Sequence, residues 1–114
     1  MNIRNKLGGA ILFLMLFLNP IFMQSALAEC VVARTIYSPE TMMNDPTLRV
    51  TVSNNCDATV YALVCIQKSN HGWSHQKLKI KSGRKDYYET FNPLSEDSDD
   101  VYISADGYPN RSCD

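Results

Sequence analysis

Thr59-Val60-Tyr61-Ala62-Leu63-Val64-Cys65-Ile66-Gln67 is the stretch whose patterning settles the class of fold. At a period of two, one face carries Tyr61, Leu63 and Cys65 and the other Val60, Ala62, Val64 and Ile66, so both faces are apolar. A strand apolar on both sides belongs inside a sheet that is covered on both sides. Ser69-Asn70-His71-Gly72 then supplies turn residues, after which Leu78 and Ile80 alternate with Lys77, Lys79 and Lys81. This is the cleanest alternation in the chain and predicts a strand with an apolar inner face and a cationic outer one.

Outward from this pair the pattern repeats. Leu48, Val50 and Val52 alternate with Arg49, Thr51 and Ser53, and Asn54-Asn55-Cys56-Asp57 follows as a reversal. Cys30 to Tyr37 is rich in β-branched and aromatic residues and stops at Ser38-Pro39. Between these strands two readings compete. One is a short helix with Ser38 as N-cap, Pro39 at its first position and Pro46 past its end; the other is an irregular loop that tucks Met42 and Met43 onto the core. Downstream, Ser82-Gly83 turns the chain into a strand over Asp86 to Phe91, a loop holds Pro93 and the acidic run Glu96 to Asp100, and Val101 to Ser104 is a last strand. Turn signals at intervals of about ten residues predict an all-β domain, a small sandwich or barrel of about six antiparallel strands.

The N-terminus reads differently. Arg4 and Lys6 precede an apolar run from Leu7 to Leu18, Asn19-Pro20 interrupts it, and Ala26-Leu27-Ala28 offers a small-x-small cleavage site. That is the outline of a secretory signal over residues 1–28, with a mature domain over 29–114. The apolar run falls short of the roughly 20 residues that cross a bilayer, so no transmembrane segment is expected after processing. Leu27-Ala28-Glu29-Cys30 also has the outline of a lipobox, but Glu29 stands where that signal takes Gly, Ala or Ser, and soluble release is the preferred reading. Of 114 residues with 11 Lys+Arg and 12 Asp+Glu, removing 28 that carry Arg4 and Lys6 leaves 86 with a formal net charge of −3. A domain so small and mildly acidic excludes a multidomain enzyme and argues against a nucleic-acid binder working through phosphate charge.

Cys30, Cys56, Cys65 and Cys113 all lie in the mature part, an even set that predicts two disulfides in a secreted or periplasmic, bacterial protein. Bridged Cα atoms lie within about 7 Å, whereas nine residues of strand span about 30 Å, so Cys56 and Cys65 do not pair. Cys30–Cys56 with Cys65–Cys113, or Cys30–Cys65 with Cys56–Cys113, remain; the first is preferred.

Histidine chemistry is confined to His71 and His75, which flank Trp73. Four residues apart on a strand they are separated by about 13 Å, too far for one ion, so no metal and no cofactor is expected. His75 with Glu89, Lys77, Lys79 and Arg84 has the residue types of a small secreted ribonuclease, but the spacing matches no nuclease pattern. The acidic run Ser95 to Asp100 lacks the spaced loop of a calcium site and reads as a solvated loop. Asn110-Arg111-Ser112 fits a glycosylation sequon.

The Asn-x-Cys-x-x-Thr-Val passage from Asn54 to Val60, the four cysteines and a cysteine beside the C-terminus give an outline similar to small secreted amylase inhibitors of the tendamistat type. The Trp-Arg-Tyr triplet that those inhibitors present is absent here, so the resemblance transfers neither residues nor target.

Lys68, Lys77, Lys79, Lys81, Arg84 and Lys85 crowd into 18 residues. Such a stripe suits an anionic partner, or protects an exposed edge strand from pairing with another sheet. Tyr87 and Tyr88 are adjacent, so in a strand they point to opposite faces. Trp73, Lys77, Lys79, Lys81, Arg84, Tyr87 and Tyr88 are therefore the expected binding residues of a non-catalytic protein. Its expected role is that of an inhibitor, immunity or host-interaction factor that binds another protein. A glycan- or envelope-binding module is the first alternative and a small hydrolase using His71 and His75 the second.

Overall fold

The structure, a computed structural model, describes residues 29–114; the expected leader over residues 1–28 lies outside them. Six strands follow in order: β1 (Val31–Ser38), β2 (Thr47–Asn54), β3 (Val60–Gln67), β4 (Trp73–Ile80), β5 (Lys85–Phe91) and β6 (Asp99–Ser104). They form two antiparallel three-stranded sheets, ordered β1-β2-β5 and β4-β3-β6, so the fold is an all-β sandwich. Among the described residues no helix is long and apolar enough to cross a membrane.

The core follows from the period-two patterning. Leu48, Val50 and Val52 of β2 face Val60, Ala62, Val64 and Ile66 of β3, with Leu78, Ile80, Val101 and Ile103 alongside, all buried. Each such side chain contributes about 1.5–3 kcal/mol when withdrawn from water. The two central strands thus supply most of the core, and the four edges close it.

β3 is covered on both sides, as its sequence requires. Its second face (Leu63, Cys65) joins Tyr102 of β6 in a separate cluster closed by Cys113 of the C-terminal segment. That segment is pinned by the Cys65–Cys113 disulfide (Cα–Cα 5.6 Å), while Cys30–Cys56 (5.0 Å) ties the start of β1 to the β2–β3 connection. The preferred pairing is therefore the one found.

Local differences from the sequence reading have identifiable causes. No short helix forms between Ser38 and Pro46. The Thr41 hydroxyl accepts from the N–H of Met43 (3.3 Å) and Asn44 (3.0 Å), which closes a turn instead. The loop does not tuck its methionines away, since Met42 and Met43 are 102% and 88% exposed. β4 begins at Trp73, earlier than its apolar alternation reveals, because the inward positions Ser74 and Gln76 are polar. It ends at Ile80, so Lys81 stands in the following turn and not on the strand. The acidic run is not all solvated loop: Asp99 and Asp100 open β6, and buried Asp99 accepts a hydrogen bond from the Thr35 hydroxyl (3.1 Å) across the sandwich.

Candidate functional site

Leu78 and Ile80 anchor the inner face of β4, which forces Trp73, His75, Lys77 and Lys79 outward in one row. Across the sheet they pair with Gln67, Cys65, Leu63 and Tyr61 of β3. β4 is an edge strand, so this row borders solvent on its free side as well. Lys77 Nζ lies 5.7 Å from the ring centroid of Tyr108, which itself meets Tyr61 edge-on at 5.1 Å. Lys79 is exposed and, among the described residues, meets no aromatic ring.

The β4–β5 turn extends this charge. The Arg84 N–H donates to the Lys81 carbonyl (3.0 Å), and Gly83 and Arg84 bond the Asn54 backbone from either side at 2.8 Å. Gly83 adopts φ +77°, a conformation that favours glycine. Lys81 and Arg84 thus stand exposed in the turn that follows β4, and Lys85 is exposed where β5 begins. Among the described residues none of these turn cations, nor Lys77 or Lys79, is paired with a carboxylate; the ion pair present is Arg49–Glu89 (3.5 Å) on the other sheet.

The tyrosines part company. Tyr87 lies on the outer face of the β1-β2-β5 sheet, 51% exposed, with the Arg49 guanidinium 4.5 Å from its ring centroid. Tyr88 turns inward against the core, and its hydroxyl hydrogen-bonds Ser74 across the β4–β5 seam. A shallow, open cleft along that seam is lined by Gln76, Leu78, Asp86, Tyr87, Tyr88 and Glu89. Of the residues expected to bind, Trp73, Lys77 and Lys79 share one face, Lys81 and Arg84 continue it, Tyr87 belongs to the opposite sheet and Tyr88 to the interior.

His75 stands in the β4 row and Glu89 on the outer face of the other sheet, so the ribonuclease-like set is not gathered at one point. His71 sits at φ 70° in the β3–β4 turn, where its N–H donates to the Lys68 carbonyl (2.8 Å). Histidine is among the residues enriched in that conformation, which gives it a local structural role. Among the described residues no three His, Cys, Asp or Glu side chains come together as a metal site.

The C-terminal segment bears on the stacking surfaces. Arg111 places its guanidinium 3.6 Å from the Tyr102 ring centroid, and Tyr108 covers the edge of Tyr61. At the chain end the Ser112 hydroxyl, then the backbone N–H of Asp114, hold the Asp114 carboxyl below the usual carboxylate range, with Arg111 adding to the effect.

Fold and surface together define a disulfide-stapled β-sandwich with a cationic edge. No protein-family profile, curated protein or solved structure matches the chain significantly.

Proposed function

We propose that this chain is an exported, non-catalytic binding protein that engages the anionic surface of another protein, in the manner of an inhibitor, immunity or host-interaction factor. One observation carries the reading: Lys77 and Lys79 stand exposed on the outer row of β4, Lys81 and Arg84 in the turn that follows and Lys85 at the start of β5, and among the described residues these cations are free of carboxylate partners. Cations left unneutralised along one ridge steer an acidic partner and fix its orientation. The two disulfides suit an oxidising compartment.

The glycan-binding alternative draws less support. It would stack sugars on Trp73 and the tyrosines; Trp73 is exposed at the start of β4, but Tyr88 is turned inward, Tyr102 is capped by Arg111, and Tyr87 has Arg49 over its ring. The test is a pull-down with the oxidised protein as bait from periplasmic, envelope and host-secreted extracts, read by mass spectrometry. A single stoichiometric protein is expected, lost from a Lys79→Glu/Lys81→Glu/Arg84→Glu variant. Lys77 is left intact because it also contacts Tyr108. Capture that survives the triple variant would assign the lysines to edge protection instead, and capture of glycan alone would favour the envelope module.

A further inference from the structure

The end of the sandwich opposite the β4–β5 turn has a different character. Here the β1–β2 loop, the β3–β4 turn and the β5–β6 loop meet: the Asn92 N–H donates to the Pro46 carbonyl (2.8 Å) and the Leu94 N–H to the Gln67 carbonyl (2.8 Å). Among the described residues, seven of the ten exposed large apolar side chains lie toward this end: Ile36, Tyr37, Met42, Met43, Phe91 and Leu94, with Trp73 at the start of β4. Phe91 and Ile36 are 58% and 56% exposed on the outer face of the β1-β2-β5 sheet, and the methionines stand at the tip of the Thr41–Asn44 turn in the β1–β2 loop. Solitary exposed apolar residues are ordinary, but a cluster at one end marks a contact surface.

The same loops carry Glu40, Asp45, Glu96 and Asp97, all exposed. Two cations stand nearby: Lys68, whose ammonium donates to the Thr90 hydroxyl and the Phe91 carbonyl, and Arg49, beside Ile36 on the outer face and paired with Glu89, so the four acids outnumber the cations here. An apolar centre with an acidic rim selects its partner on two counts. An anionic membrane or a polyanion is repelled by the rim. A protein segment with apolar residues flanked by Lys or Arg satisfies both parts, and methionine side chains adapt readily to an irregular apolar surface.

We infer that this loop end is a second docking surface, which takes a basic amphipathic segment of a partner protein on Met42, Met43, Ile36 and Phe91, with Glu40, Asp45, Glu96 and Asp97 around it. It is independent of the cationic ridge and opposite to it in charge.

The test uses the oxidised, ¹⁵N-labelled protein with four probes: a leucine–lysine amphipathic peptide, its leucine–glutamate counterpart, phosphatidylcholine vesicles and vesicles containing phosphatidylglycerol. The leucine–lysine peptide is expected to bind, with amide shifts confined to residues 36–47 and 90–98. Met42→Ser/Met43→Ser/Phe91→Ser should weaken it about tenfold or more, whereas Lys79→Glu/Lys81→Glu leaves it unchanged. Equal binding of the glutamate peptide, shifts centred on β4, preferential binding to either vesicle, or no shift at millimolar peptide would each overturn the inference. Failure of the ridge variants in the pull-down would leave this result untouched, so the two proposals fail separately.

Discussion

Asn54 sits where three segments meet, and its side-chain amide is wholly committed. Nδ2 donates to the carbonyls of Ala58 (2.9 Å) and Ile80 (2.8 Å), and Oδ1 accepts from the Cys56 N–H (2.8 Å); Asn54 itself and its bond to Ile80 are buried. Asn54→Ala strips partners from one buried and two partly buried backbone groups and should lower unfolding free energy by about 2–4 kcal/mol in a denaturant titration. Asn54→Asp keeps the shape but loses both donors and buries a charge, so it should cost at least as much at neutral pH. That cost should ease as acid protonates the carboxyl and restores one donor. From sequence, Asn54 is legible as a residue of a reversal; its role as a three-way tie is not, because Ile80 is 26 residues away in the chain. His71 is a contrasting case. Its left-handed backbone accounts for its place, and His71→Asn should hold stability within about 0.5 kcal/mol.

The C-terminal segment is the element whose contribution is easiest to isolate. It has no regular structure, yet it covers Leu63, Cys65 and Tyr102 through one disulfide and the Arg111 and Tyr108 ring contacts. Cys65→Ala/Cys113→Ala opens a bridge with a sequence separation of 48, for which chain entropy alone amounts to about 4 kcal/mol. The loss of stability should be roughly 2–4 kcal/mol, with proteolysis beginning within residues 105–114. Cys30→Ala/Cys56→Ala should cost a similar amount but leave the tail protected, as limited proteolysis with mass spectrometry would show. Arg111→Ala alone should cost only about 0.5–1 kcal/mol. The double-sided apolarity of β3 announces that something lies on its outer face. Nothing in the polar stretch from Ala105 to Asp114 identifies that cover except Cys113.

At the scale of the whole molecule, charge and apolar surface are separated. Lys79, Lys81, Arg84 and Lys85 mark one end and edge, while the opposite end holds the exposed apolar cluster and four acids. Substitutions at either surface touch little of the core, so the ridge and loop-end variants should each melt within about 4 °C of the parent while losing different partners. Binding at the ridge should weaken steeply between low and physiological salt, where screening acts over about 8 Å. Binding at the loop end should weaken less, since apolar contact supplies part of it.

The amino-acid sequence by itself determined the all-β class, the strand count, the interior place of β3 and the even set of cysteines. All of these are written in local alternation and composition, which survive without knowledge of distant contacts. Tertiary structure alone decided which faces are shared. A connection that crosses between sheets sends adjacent strands β4 and β5 to different layers, so Lys79 and Tyr87, eight positions apart, lie on different sheets. The same folding brings Met42 and Phe91 to one end through bonds between loops nearly fifty residues apart. Periodicity shows that a side chain leaves the core; the long-range closure of the two sheets decides which neighbours it meets outside.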